Sequence, residues 1–451
     1  MNFKLEEFLN GFDGISINRI PETFNKFKID SRTVEKGDIF IALKGSKYDG
    51  HDFVKDAIQK GALGVVVEKE FPLNDTFEFV VNSTKDFIKH IGLVGRKHAL
   101  GCVLGITGSA GKTTLKESVA NALSKKFSVL KTEGNLNTDV SLPLFFANEV
   151  NLREDFIVVE LGVQKPHDMD YLLELTQPHY GVITNIGDSH IEYLQSKEGV
   201  LNEKFKLAKY VDNDGIAFLN GDDDLLFEAS HNLKNRVLIG FNKRNDVVID
   251  LLTKEDVKRV NLSFADRKFS FSLPFYGYQF VYTLAFTFAI AFHFGVDPDL
   301  IVSSLKEFKP FKGRGEIINF SKMSILDDTY NSNPVSLTFA LKSLLDVNKP
   351  KVIILGDMLE LGKDAYEIHK SFVSLIEEVD PYLLITYGDF TKSIYENAST
   401  ALKFHFTDSD ALKEFLEEFD FKKGSLIFLK GSRGMKMESF VEVLKGRFKD
   451  G

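Results

Sequence analysis

The chain has no tryptophan and one cysteine, Cys102, among its 451 residues. A single thiol can form neither an intrachain disulfide nor a cysteine-based zinc site, so a disulfide scaffold and a zinc ribbon are excluded and a reducing compartment fits best. An excess of basic residues is also missing: 56 Lys and Arg face 65 Asp and Glu, a formal net charge of −9. Without a long basic run to offset that balance, a general nucleic-acid binder is not expected. Long apolar runs are absent too. The longest, residues 284–294, contains Thr287 and His293; it is too short to span a bilayer and reads as a buried helix. The N-terminal residues carry Glu6 and Glu7 and no apolar core, unlike a secretory signal, so a cytoplasmic location is expected. No repeat or low-complexity segment stands out.

What is present is an ordinary globular composition, 43% hydrophobic and 27% charged, in a chain long enough for about three domains. Its 42 phenylalanines are read as core packing. The most informative stretch is Gly105-Ile106-Thr107-Gly108-Ser109-Ala110-Gly111-Lys112-Thr113-Thr114. An apolar strand precedes it and a helix follows, so the loop opens a helix N-terminus, where unpaired N–H groups and the helix dipole favour phosphate. Lys112 can reach terminal phosphates and Thr113 can offer its hydroxyl to Mg²⁺. The strict phosphate-loop spacing wants glycine at the position of Ile106, which Gly105 and Gly108 flank instead. A tight strand-to-helix turn is the plainer alternative, but Gly-Lys-Thr-Thr in this setting favours ATP or a relative.

The rhythm of elements predicts an α/β protein of three domains. Residues 1–99 mix short strands (38–43, 64–67) with a helix (54–60) and form a small α/β unit. Residues 100–310 alternate strands (103–107, 156–161, 181–185, 215–220, 236–239) with helices, the pattern of a doubly wound parallel sheet carrying the phosphate loop. Residues 311–451 restart the alternation, with strands at 324–328, 351–355, 382–387 and 425–429 and helices at 336–347, 366–379 and 410–419. That domain is Rossmann-like but lacks a Gly-x-Gly-x-x-Gly fingerprint. Ligands of open α/β sheets bind at the carboxyl ends of strands, so polar residues there are the candidates.

Glu160 ends one such strand and could share Mg²⁺ with Thr113; a solvated strand-end acid would look the same. His190, after Asn185-Ile186-Gly187-Asp188-Ser189, could bind a second ion or be a surface histidine. Lys204 and Lys206 fall on a predicted helix, 199–210, and by composition are solvated charges. Asp327-Asp328-Thr329-Tyr330-Asn331-Ser332-Asn333-Pro334 and Gly356-Asp357-Met358-Leu359-Glu360-Leu361-Gly362 are polar strand ends. A capped strand-to-helix turn explains the polarity of the first but not its two acids, and together the segments suggest a second ligand surface.

Taken together, these segments resemble the Mur ligases over essentially the whole chain. The resemblance rests on Thr107 through Thr114, Gly134-Asn135-Leu136-Asn137, Val159-Glu160-Leu161-Gly162 and Asn185-Ile186-Gly187 leading to His190. The two C-terminal segments are similar to the signatures of the family's D-alanyl-D-alanine-adding branch. The resemblance implies an ATP-dependent ligase that joins D-alanyl-D-alanine to UDP-N-acetylmuramoyl-tripeptide through an acyl phosphate, acting as a monomer in the cytoplasm. It implies that Gly108, Ser109, Ala110, Gly111, Lys112, Thr113 and Thr114 hold the ATP phosphates, with Asn137, Arg314 and Asn331 near the nucleotide. Thr113, Glu160, His190 and a carbamylated Lys204 would serve two Mg²⁺ ions, with Lys112, His190 and Lys204 the catalytic groups. Ser31, Arg32, Gly45, Asp49 and His51 would bind the UDP end of the substrate; Asp328, Tyr330 and Asn333 would complete substrate binding in the C-terminal domain.

Three positions depart from the family pattern. Ser141 stands where glycine is usual, Lys206 stands where many members carry glutamate, and Gly277-Tyr278-Gln279-Phe280-Val281-Tyr282-Thr283 replaces a Gly-x-His-Asn-x-x-Asn segment near the adenine. The alternatives are a ligase adding a diamino acid to UDP-N-acetylmuramoyl-dipeptide, or a phosphate-loop phosphotransferase. The sequence does not name the third amino acid of the tripeptide.

Overall fold

The computed structural model describes residues 4–449 except 46, 74–75, 135, 188–190, 255–256, 265–266, 274–277 and 309–311, and the side chains of 252–258 and 272–279 are likewise outside the description. The described strands form three sheets of five, nine and six strands, with helices throughout, so the protein is α/β as expected. By packing, the chain divides into two compact units: residues 1–105, 126–163 and 167–180 make one, and residues 106–125, 164–166 and 181–451 make the other.

In the first unit, the five-stranded sheet runs in the order Gly14–Ile17, Phe77–Val81, Gly64–Val67, Ile39–Ile41, Phe27–Lys28. Only the Gly14–Ile17 pairing is antiparallel. Its outer face closes over Phe8, Phe27, Phe79 and Phe87, which meet largely edge-on; this accounts for part of the phenylalanine surplus. Helix Thr84–His98, capped by Ser83, lies close against helix Ser141–Glu149. Gly95 makes that approach possible, because a Cβ there would stand 2.3 Å from the Phe146 carbonyl oxygen. Cys102 begins strand Cys102–Thr107 and is half-buried. Burial pushes its thiol up to about 11.

In the second unit, strands Tyr180–Ile183, Ala217–Asn220, Arg236–Gly240 and Val247–Lys254 are successive parallel neighbours. The antiparallel strands Val257–Phe264 and Arg267–Leu273 then extend the sheet, an extension the sequence pattern did not disclose. Helix Lys112–Leu123 packs on helix Tyr278–His293, where a buried hydrogen bond of 2.8 Å joins Thr287 Oγ1 to Ser118 Oγ. The last sheet has the order Glu316–Asn319, Ser324–Asp328, Leu426–Lys430, Lys351–Gly356, Leu383–Tyr387, Lys403–Phe406, antiparallel at the first pair and parallel beyond. Its strands alternate between two cores. Leu326, Ile353, Leu355, Leu384 and Phe428 pack with Leu337, Leu341 and Ile376, whereas Ile325, Val352, Ile354, Leu383 and Ile427 pack with Leu412, Phe440 and Leu444. Side chains of period two buried on both faces define a doubly wound sheet. The expected helix at 366–379 is two helices, Ala365–Lys370 and Val373–Val379, with Phe372 turned into the core at the break.

Candidate active site

The phosphate loop is built around two backbone positions that an L side chain rarely adopts. Gly108 has φ +141° and Gly111 φ +82°, and Gly111 is the N-cap of helix Lys112–Leu123. Position 108 is doubly constrained, since a Cβ there would lie 1.9 Å from Thr184 Oγ1. Thr184 and Asn185, which follow strand Tyr180–Ile183, hold the loop from below. Thr184 donates from Oγ1 to the Ala110 carbonyl at 2.6 Å. Asn185 spends its amide on the same residue, accepting the Ala110 N–H at 2.9 Å and donating to its carbonyl at 3.2 Å. Ser109 accepts the Gly187 N–H on Oγ at 2.9 Å and gives its own N–H to the Asn185 carbonyl at 3.1 Å. Lys112 folds back to donate to the Gly108 carbonyl at 2.7 Å, which places its ammonium over the loop. Thr113 and Thr114 are buried.

Beside the loop lies an open pocket, lined by Ala110, Gly111 and Leu115 and, from other elements, by Asn220, Tyr282, Thr283, Phe286 and Phe339. Its lining mixes apolar side chains with a few polar groups, the usual make-up of a small-molecule site. Asn220 donates to the Thr184 carbonyl at 3.0 Å and accepts from Asp222 N–H at 3.0 Å, so it fixes the pocket wall. Thr184, Asn220 and Phe339 were not among the residues singled out in the sequence, whereas Tyr282 and Thr283 fall in the segment that departs from the family pattern. Only the strand-end rule could have drawn attention to the first two.

Lys204 lies in helix Lys197–Val211, which is capped by Ser196. The lysine is 1% exposed, whereas the composition pattern suggested a solvated charge. The neighbouring Glu203 is buried as well and pairs with Lys206 at 2.8 Å. Lysine is among the residues least often buried to this extent. His190, with Asp188 and Ser189, lies outside the described residues. Among the described residues, no group of three or more His, Cys, Asp or Glu gathers as a metal site.

In the first unit, Glu160 ends strand Phe156–Glu160, is buried, and accepts from Asn137 Nδ2 at 2.8 Å. The Asn137 carbonyl in turn accepts Gly162 N–H at 3.0 Å, so the two candidates form one local unit. The amino-terminal candidates form a second. Arg32 makes a fork on Asp30 at 2.9 and 2.7 Å, and that guanidinium holds the Asp30 carboxyl down at about 2. The Ser31 carbonyl accepts from Lys60, and Gly45 N–H bonds the Tyr48 carbonyl at 2.9 Å. His51 is buried with both ring nitrogens engaged, Nδ1 with Asp49 at 2.6 Å and Nε2 with the Glu68 N–H at 2.9 Å. The ring therefore carries its hydrogen on Nδ1 and joins Asp49 to the backbone at Glu68.

At the strand ends of the last sheet, Asp327 is fully buried and accepts from the Thr329 N–H and hydroxyl, which makes it the anchor of its loop. Asp328 pairs with Lys430 at 2.6 Å, although burial pushes its carboxyl above the usual carboxylate range. Lys430 also donates to the Asn331 carbonyl at 2.9 Å. Arg314 stacks on the Tyr330 ring at 3.8 Å, with Arg433 at 5.5 Å; Asn331 Oδ1 accepts Arg433 N–H. Asp357 is spent on the N–H groups of Phe390 and Thr391, so this acid of the second segment braces a loop. Lys430→Met should leave Asp328 without its cation and cost about 3 kcal/mol. A urea midpoint equal to that of the parent would refute this.

Geometry of this kind, a glycine loop at a helix N-terminus with a lysine above it and an apolar pocket alongside, defines a phosphate-loop nucleotide-binding protein. Three Mur ligase patterns cover the chain: the family's catalytic domain at residues 23–133, the middle domain at 106–291 and the glutamate ligase domain at 313–433. The chain is 30% identical over 433 residues, 92% of each chain, to the UDP-N-acetylmuramoyl-tripeptide–D-alanyl-D-alanine ligase of Bacillus subtilis. The crystal structure of MurF from Acinetobacter baumannii matches with TM-score 0.90 and 27% identity, over 98% of this chain and 99% of that one. MurF of Thermotoga maritima in complex with ADP matches with TM-score 0.83 and 27% identity, over 94% and 98%. The chain belongs to the Mur ligase family.

Proposed function

We propose that this protein joins D-alanyl-D-alanine to the terminal carboxylate of UDP-N-acetylmuramoyl-tripeptide, giving the pentapeptide, ADP and phosphate. The observation that carries the reading is a phosphate loop with its lysine in place, in a chain that matches a ligase of that name over 92% of its length. The tripeptide carboxylate attacks the γ-phosphate, the P–O bond to ADP breaks, and an acyl phosphate forms. The dipeptide amine then attacks the acyl carbon, losing a proton, and phosphate leaves from the tetrahedral intermediate. Lys112 counters the repulsion between the approaching carboxylate and phosphate. Asn185 and Thr184 keep the loop N–H groups aimed before the reaction, so little reorganisation is needed.

Thr113, Glu160, His190 and Lys204 are the residues we assign to Mg²⁺. The Thr113 hydroxyl and the Glu160 carboxylate are hard oxygen ligands of the kind it takes, and a carbamate on Lys204 would add two more. The ion would supply charge neutralisation on the phosphates. Asn137, Arg314 and Asn331 are assigned to the nucleotide. Ser31, Arg32, Gly45, Asp49, His51, Asp328 and Tyr330 are assigned to the UDP-peptide and dipeptide substrates, and Asn333, which caps helix Pro334–Leu344 and bonds the Ser109 carbonyl, to shaping the site that receives them. We divide the labour among residues 1–99 for the UDP end, 100–310 for ATP and 311–451 for closure over the reacting groups. The reading carries with it a cytoplasmic location, where ATP is supplied, and a monomer, since each part of the substrate set has its own domain.

A stoichiometric assay tests it. Phosphate release should require both UDP-N-acetylmuramoyl-tripeptide and D-alanyl-D-alanine, one phosphate per pentapeptide. Release indifferent to the dipeptide, or a preference for the dipeptidyl precursor with a free diamino acid, would overturn the assignment.

A further inference from the structure

Helix Pro334–Leu344 and its N-cap approach the phosphate loop and its support at three places, one of them a direct hydrogen bond to the loop. Asn333, its N-cap, accepts Ser336 N–H on Oδ1 at 2.9 Å and turns Nδ2 to the Ser109 carbonyl, 3.0 Å away across 224 residues of chain. Val335 sits on Gly187, where a Cβ would come within 2.2 Å of Val335 Cγ2. Gly187 is the residue whose N–H holds Ser109 Oγ, so both contacts bear on one residue of the loop. Phe339, one turn beyond Val335 on the same helix face, lines the pocket with Ala110 and Gly111 and meets Tyr282 edge-on at 5.7 Å.

We propose that Asn333 is a positioning residue that couples docking of the carboxy-terminal domain to the conformation of the phosphate loop. One amide does two jobs: its oxygen starts the helix and its nitrogen reads the loop. If the Ser109 carbonyl is held only when the helix is docked, the loop is shaped for phosphate only when the site is covered. Coverage protects the acyl phosphate, since water reaching the acyl carbon would break its C–O bond to phosphate and return the free carboxylate. The inference rests on the ligase reading for its kinetic consequence but not for the docking itself.

Asn333→Asp separates the two jobs. Aspartate caps a helix as well as asparagine but has no N–H for Ser109, so the variant should unfold at the same temperature as the parent. Its kcat should fall about tenfold, with phosphate released in excess of pentapeptide. Gly187→Ala should reproduce both effects from the opposite side of the contact, and adding Val335→Ala should restore coupling by making room for the new methyl. Parent-like coupling in both single variants, or no recovery in the Gly187→Ala, Val335→Ala pair, would overturn the proposal. Amide exchange with a non-hydrolysable ATP analogue keeps the two ideas apart. The parent should gain protection at both 108–111 and 333–339, and Asn333→Asp at 108–111 alone. Protection of both segments in the variant would sink the coupling even if the protein proved not to be a ligase.

Discussion

Lys204→Ala should reduce ligation by roughly a thousandfold, the scale seen when a preorganised charged group is removed from a reacting centre. A short carboxylic acid such as formate or acetate should then restore part of the rate. Lys204 is 1% exposed on helix Lys197–Val211, beside buried Glu203. A lysine needed only for packing would lose stability on truncation and gain nothing from added carboxylate. A carbamylated lysine supplies a carboxylate at the end of a long arm, so alanine leaves room that a small acid can fill. Two measurements decide the matter. Activity unchanged in the variant would remove Lys204 from the site, and a loss that no small acid relieves would leave the residue essential without a carbamate. Mass spectrometry at mildly alkaline pH, with and without bicarbonate, reads the adduct directly.

Gly108→Ala should abolish ATP-dependent activity while leaving the rest of the fold in place. At φ +141° the backbone is already in a region alanine rarely enters, and the added Cβ would stand 1.9 Å from Thr184 Oγ1. Relief requires Thr184 to swing away, which breaks its 2.6 Å bond to the Ala110 carbonyl and lets the loop N–H groups lose their aim. Affinity for ADP, measured by calorimetry, should fall by at least about tenfold, the equivalent of one lost charge-assisted hydrogen bond. Adding Thr184→Ala removes the clash but also the support, so the pair should bind no better than Gly108→Ala. Parent-like ADP binding in the single variant would show that the loop does not carry the phosphates.

The loop was legible in the sequence because its chemistry is local: glycines, lysine and hydroxyls lie within ten residues and share one turn. The last sheet was legible for a related reason, since strands buried on both faces read as continuous apolar runs such as Val352 through Leu355. Support for the loop was not legible. Asn185 reaches Ala110 from 75 residues away, and no spacing rule joins them. Lys430 closes a strand and looks solvated, yet it is held by Asp328 from 102 residues earlier. Asp357, in a segment that resembled a ligand surface, turned out to brace Phe390 and Thr391, because a strand-end acid serves a neighbouring loop as readily as a ligand. The antiparallel strands at 257–273 escaped because their alternating charges resemble a surface loop.

Cys102 has a use apart from catalysis. With its thiol pushed up to about 11 by burial, far less of it is reactive thiolate at neutral pH than of an ordinary thiol. Maleimide dyes should therefore react with it more slowly than with an exposed thiol. Cysteines introduced at exposed positions, such as Leu402 and Tyr48, could be labelled in the otherwise native chain, and domain movements followed by fluorescence without first removing the resident sulfur.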